Sequence, residues 1–146
     1  MRGSVLCLAA GLFTLASMAR AEGGSCRRVR AEINLSDGTI AGNFGLNGTA
    51  AFTRDGQGTP APTAPATSSV FSGLLAITTA RGTLTVRETG MFSSRADNPA
   101  GAVLVSWGDS PIGTGAFQEV TGDLFFAGRS VDGVLLVQVS GTLCRP

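Results

Sequence analysis

The stretch RVRAEINL, residues 28–35, alternates between polar and apolar residues at every position. Successive side chains of a β-strand point to opposite faces, so Val29, Ala31 and Ile33 would share one face. This spacing predicts a half-buried strand whose apolar face covers a core. A sustained apolar spacing of 3.6 residues, which is typical of a buried helix, occurs nowhere after Ala21. The sequence therefore predicts an all-β fold.

The same period of two recurs along the rest of the chain, interrupted by turn signals rich in Gly, Asp and Ser. Residues 40–52 carry apolar residues or glycine at every second position, which predicts one bent strand or two. The other predicted strands are 70–79, 83–92, 102–107, 117–120, 123–127 and 134–144. The predicted turns and loops are 36–38, 56–69 with Pro60, Pro62 and Pro65, 80–82, 93–101, 108–115 and 131–133. About eight short strands without a helix are typical of a barrel or a sandwich.

Residues 1–21 have the features of a cleavable secretory signal peptide. A basic second residue is followed by an apolar run of about 15 residues, shorter than the ~20 that a membrane-spanning helix needs. The run ends in Ala19-Arg20-Ala21, which fits a small-x-small cleavage site. A buried or membrane-anchoring helix is the alternative. We therefore expect a secreted or periplasmic protein in which residues 22–146 form a single β-barrel domain.

Two cysteines remain after this leader, Cys26 near the new N-terminus and Cys144 near the C-terminus. In an oxidising compartment an isolated pair is most simply a disulfide. Its Cα atoms must lie within about 7 Å, so the first and last strands would be neighbours. That neighbourhood fits a single antiparallel eight-stranded barrel, with a β-sandwich as the alternative fold. A lipoprotein acylated on Cys26 is the alternative to the disulfide.

The composition excludes several kinds of catalytic site. The chain has no His and no Lys, so a His-ligated zinc site, a Ser-His-Asp triad and Schiff-base catalysis cannot form. No metal site and no cofactor is predicted. After the leader, nine basic side chains face ten acidic ones, a balance that indicates neither a nucleic-acid partner nor an anionic membrane. A small apolar ligand is the partner that a barrel interior suggests.

Glu88 is the carboxylate that stands out from the alternation. It lies two residues after Val86 and four after Leu84, so alternation along a strand places it on the same, apolar face. If that face lines a cavity, burial would raise the Glu88 pKa and make it a candidate catalytic or ligand-binding group. A position near the barrel mouth, or a pairing with an inward Arg, would make it structural. Trp107, the single tryptophan, is a candidate ligand platform, although packing in the core or at a barrel end is the simpler expectation.

The stretch GTGAFQEVTGDLFFAG, residues 113–128, has the pattern GTGxFxxxTGxLxFxG. Together with FSGLLAITTARGTLTV at 71–86 and GTLC at 141–144, it resembles the allene oxide cyclase and dirigent barrel superfamily, especially small secreted bacterial members of unknown function. The resemblance implies an eight-stranded antiparallel barrel whose cavity can hold a lipid epoxide or guide the coupling of phenoxy radicals. The chain has no Tyr and no His. No catalytic set of the plant members, either the cyclases or the dirigent proteins, can be matched to it residue by residue.

Three functions are compatible with these observations. The leading hypothesis is a secreted, non-enzymatic barrel that binds a small apolar or amphipathic ligand or a partner. The second is an isomerase or cyclase that acts on a small hydrophobic substrate, with Glu88 as its acid–base group. The third is a structural or interaction module with a filled interior. They differ in whether the barrel has a cavity and in whether Glu88 reaches it.

The leader generates a prediction about processing. Because the apolar run ends in Ala19-Arg20-Ala21, the exported protein should begin at Glu22. Intact-mass spectrometry of the exported protein tests this. A mass that retains the leader, or one that carries diacylglycerol on Cys26, would contradict it.

Overall fold

The computed structural model describes residues 24–58, 67–95 and 98–146, with the side chains of residue 95 and residues 98–100 left aside. These residues form a closed antiparallel barrel of eight strands in which each strand pairs with the next and β8 pairs with β1. The strands are β1 Ser25–Asn34, β2 Thr39–Gly42, β3 Gly48–Gly58, β4 Ser68–Thr79, β5 Gly82–Arg95, β6 Asn98–Gly113, β7 Thr121–Val131 and β8 Val134–Arg145. A short 3₁₀ helix, Gly115–Phe117, connects β6 to β7. The predicted all-β barrel is confirmed.

The barrel closes through a continuous ladder between β1 and β8. Pairing runs from Ser25 opposite Arg145 to Asn34 opposite Leu136. Cys26 and Cys144 are direct partners in this ladder and form a disulfide across 118 residues of chain. The predicted disulfide is therefore present, and it joins the two strands that a barrel must bring together.

Several strand and turn predictions are confirmed. Residues 28–35 lie almost entirely in β1, and Val29, Ala31 and Ile33 are buried as their parity predicts. Segment 40–52 is two strands, β2 and β3. The turn between β7 and β8 contains Asp132 and Gly133 with φ angles of 51° and 81°. Such left-handed values are typical of the two-residue hairpin turns that suit twisted strands.

Four loop, turn or strand predictions are wrong in the middle of the chain. The sequence predicts a loop at 93–101 and a turn at 108–115, yet β5 extends to Arg95 and β6 runs from Asn98 to Gly113. The predicted loop 56–69 is likewise strand at both ends, since β3 reaches Gly58 and β4 begins at Ser68; Pro60, Pro62 and Pro65 lie outside the described residues. Conversely, the predicted strand 117–120 is not a strand: Phe117 ends the 3₁₀ helix, and β7 begins only at Thr121. Turn-forming residues stay in strands here because neighbouring strands on both sides supply hydrogen bonds to the backbone.

The barrel interior is filled at the end where β1 begins and β8 ends. Phe117 projects into this end from the 3₁₀ helix and is fully buried. Around it lie other residues with no exposed surface: Leu46, Ile77, Leu84 and Leu143. Because one end is packed in this way, space for a ligand can remain only toward the opposite end of the barrel.

The predicted signal peptide lies outside the described residues. Among the residues that the structure describes, no helix is long and apolar enough to cross a bilayer.

The disulfide generates a stability prediction. The chain-entropy model assigns a stabilisation of about 4–5 kcal/mol to a loop of this length. A Cys26→Ser/Cys144→Ser double variant should therefore lose about 2–5 kcal/mol of unfolding free energy, measured by urea unfolding. Reduced wild-type protein serves as the control and should unfold like the double variant. Two reactive thiols in denatured, unreduced wild-type protein would contradict the prediction. Equal unfolding free energies of the unreduced wild type and the double variant would contradict it as well.

Candidate functional site

A pocket of about 120 Å³ lies in the barrel on the side opposite Phe117. Its lining is largely apolar and comes from seven of the eight strands, all except β2, and from the residue after β1. Among the described residues that line it, the titratable side chains are Glu88 and Arg54. The apolar lining residues are Ile33, Leu35, Phe52, Phe71, Leu75, Phe92, Leu104, Phe126 and Val137. The pocket can therefore hold an apolar group beside one carboxyl group and one guanidinium group.

The structure places Glu88 inside the barrel with 5% of its surface exposed, which confirms the predicted register of β5. Its direct cross-strand partners are Gly73 on β4 and Gly108 on β6. Neither neighbour has a side chain, so the Glu88 carboxyl occupies a gap in the layer of inward-facing residues. The larger side chains of adjacent layers close around this gap.

Both glycines are required by the packing around Glu88. A Cβ on Gly73 would lie 2.5 Å from Cζ of Phe52, and a Cβ on Gly108 would collide with the Val86 side chain. Real Cβ atoms do not approach other heavy atoms this closely, because interiors are already close-packed. The two glycines therefore let aromatic and aliphatic side chains pack beside the carboxyl.

Ser106 holds the Glu88 carboxyl against β6. Its hydroxyl donates a hydrogen bond to Oε1 of Glu88, and both residues are buried. Desolvation raises the pKa of Glu88 above its ordinary value, and the Ser106 hydrogen bond opposes this only in part. Within the described residues, no Arg forms an ion pair with Glu88. Ser106 thus holds one oxygen of the Glu88 carboxyl in place, while burial shifts the carboxyl toward its protonated form.

Arg54 contributes the positive charge of the pocket. Its guanidinium lies over the Phe71 ring, with Cζ 5.8 Å from the ring centroid, and the residue is exposed. The adjacent carboxylate, Asp55, is taken by Arg87 through bonds of 2.7 and 3.2 Å. Arg54 therefore lies at the solvent side of the lining, where an exposed cation can meet a ligand.

The structure places Trp107 on the outer face of β6, so the expectation that it packs in the core or at a barrel end is wrong. Its side chain is 50% exposed and does not line the pocket. The inward-facing neighbours of the same strand are Ser106 and Gly108, because alternation sends Trp107 outward. Trp107 and Glu88 are therefore not brought together in one site.

Sequence reasoning identified Glu88 but missed the residues around it. Ser106 follows Val105 in an apolar run and has the parity of the inward face, so its alternation could have revealed it. The pairing of Glu88 with Gly73 and Gly108 could not be found, since it depends on the register between strands. Arg54 has the parity of Ala50 and Phe52, so the alternation could have placed it on the inward face; the bulge in β3 follows it.

Among the described residues, no group of three or more His, Cys, Asp and Glu side chains lies close enough to hold a metal ion. Comparison with known proteins gives no match to any protein-family model, curated protein or solved structure. The resemblance to the allene oxide cyclase and dirigent superfamily thus remains a prediction from sequence.

The buried carboxyl generates a prediction about pH and stability. Below the ordinary glutamate pKa of 4.5, Glu88 is protonated in both the folded and the unfolded chain. As the pH rises from this ordinary value to the raised folded-state pKa, the unfolded chain ionises first, so the folded state loses up to about 1.4 kcal/mol per pH unit, and the loss levels off above the raised pKa. Glu88→Gln should remove this loss. Urea unfolding of both proteins across a pH series measures it, and parallel profiles would contradict the prediction.

The packing around Gly73 generates a second prediction. Gly73→Ala should lower the unfolding free energy by about 1–3 kcal/mol, the usual cost of overpacking a filled interior. The matched control is Gly58→Ala on β3, whose Cβ would lie 3.3 Å from the Val70 side chain, which can adjust. Thermal unfolding compares the two variants. Equal melting temperatures would contradict the prediction, because they would show that Phe52 and the Thr53 carbonyl, which also lies too close to such a Cβ, make room for it without cost.

Proposed function

We propose that this protein is a secreted or periplasmic barrel that binds a small apolar or amphipathic molecule in the pocket beside Glu88. The observation that carries the proposal is a largely apolar pocket with two charged residues in its lining, Glu88 and Arg54, which is the usual composition of a small-molecule site. Binding requires no further chemistry from the chain. Ligand binding is therefore the function that the pocket residues support without any catalytic residue.

The volume of the pocket sets the size of the ligand. A protein cavity of about 150 Å³ lined by Leu, Ile and Phe can hold benzene. A pocket of about 120 Å³ therefore suits a single ring or a short alkyl chain. A longer ligand would have to leave part of its body outside the barrel.

The Cys26–Cys144 disulfide supports an oxidising compartment. This agrees with the export that the N-terminal sequence predicts. The barrel also agrees with the fold implied by the resemblance to the allene oxide cyclase and dirigent superfamily, and an apolar pocket is the feature that such a resemblance would share. These points support the location and the type of ligand, and they carry no catalytic assignment.

A second candidate function is an isomerase or cyclase that uses Glu88 as its acid–base group. The observation that favours it is the buried carboxyl with a raised pKa beside an apolar pocket. A general acid or base needs a second group to stabilise the charge that develops on the substrate. Arg54 is the charged group available in the lining, and its exposed position makes it better suited to binding. The pocket also favours both of these functions over a structural or interaction module with a filled interior.

The experiment follows chemical shifts in ¹⁵N-labelled mature protein during titration with hexanol and benzyl alcohol. Saturable shifts should map to residues that line the pocket. Leu104→Trp should abolish binding, because the larger ring fills the space beside Glu88.

The matched control is Val105→Trp, the same substitution on the next residue, whose side chain faces outward. It should bind both alcohols as the wild type does. Shifts that map to the outer face, or binding that survives Leu104→Trp, would contradict the proposal.

A further inference from the structure

We propose that the pocket selects short amphipathic anions, with the apolar body beside Glu88 and the anionic group on Arg54 at the outer side. This rests on the proposed function and adds the charge and orientation of the ligand. A short-chain or single-ring carboxylate is the simplest member of this class. The proposal depends on where the two charged lining residues lie and on what each already contacts.

Arg54 and Glu88 flank the same glycine. Gly73 pairs with Arg54 on one side and with Glu88 on the other, so the two backbones are separated by two strand spacings, about 9–10 Å. The Phe52 ring lies against Gly73 in the space that a side chain would take. The Phe52 ring beside Gly73 thus separates Arg54 from Glu88 with apolar surface.

Each charged group is held away from the other by a separate contact. Arg54 stacks on Phe71, and Glu88 accepts the Ser106 hydrogen bond on the far side of the pocket. Within the described residues, the carboxylate nearest to Arg54 in sequence is engaged by Arg87. The guanidinium therefore keeps its donors directed to solvent, where a carboxylate can accept two of them.

The electrostatics favour an anion over a cation. Glu88 lies two strands from Arg54 and its Oε1 is engaged by Ser106, so an anionic group held at Arg54 stays away from the Glu88 carboxyl. Arg54 is permanently charged and repels a cation at the outer side of the lining. An anionic head group can stay partly hydrated there, while the pocket removes the apolar body from water.

The experiment compares three ligands of equal chain length: hexanoate, hexanol and hexylamine. Dissociation constants are measured by chemical-shift titration at neutral pH and low ionic strength. Hexanoate should bind at least about fivefold more tightly than hexanol, as expected for a charge-assisted contact at a partly exposed site, and hexylamine should bind most weakly. Arg54→Met should abolish the preference for hexanoate, because it removes the charge while the Met side chain retains an apolar contact with Phe71.

The control is Arg129→Met, which removes the same charge from an exposed position on β7. It should keep the wild-type order of affinities, which separates a local contact from an effect of net charge. Equal binding of hexanoate and hexanol, tightest binding of hexylamine, or a preference that survives Arg54→Met would overturn the inference while the proposed function stands. If none of the three ligands binds to the pocket, the proposed function fails as well.

Discussion

The ladder between β1 and β8 is the interaction on which the barrel depends. Without it, the chain would be an open sheet of eight strands with two unpaired edges and an apolar face exposed to water. The Cys26–Cys144 bond lies within this ladder, so the covalent link and the hydrogen bonds hold the same two strands. Closure also fixes the register of every other strand, because each ladder must be compatible with its neighbours around the ring.

Closure of the barrel leaves its interior asymmetric. Phe117 fills one end from the 3₁₀ helix, and the residues around it have no exposed surface. The opposite half is lined by apolar side chains from most of the strands but is not completely filled. The connection between β6 and β7 therefore decides which end of the barrel is packed and which end has space.

Glu88 is the feature of this space that packing alone does not explain. Burying a carboxyl costs free energy unless hydrogen bonds compensate, and Ser106 supplies one such bond. Two glycines flank the carboxyl on the neighbouring strands, and Phe52 and Val86 occupy the space that larger residues at those positions would need. A buried polar group, its partner and its surrounding gap thus form one unit, which is the pattern expected where a fold gives up stability for binding or catalysis.

The amino-acid sequence by itself determined the strand character of the chain, the inward direction of Glu88 and the pairing of Cys26 with Cys144. These follow from local alternation and from counting cysteines, which require no knowledge of neighbouring strands. The sequence misassigned the long strand β6 because its Gly, Asp, Ser and Pro residues are also the residues of turns. Only the tertiary structure decided that Glu88 lies between two glycines, that Ser106 binds it and that Arg54 shares its pocket. Each of these depends on register and closure, which arise from contacts between residues far apart in the chain.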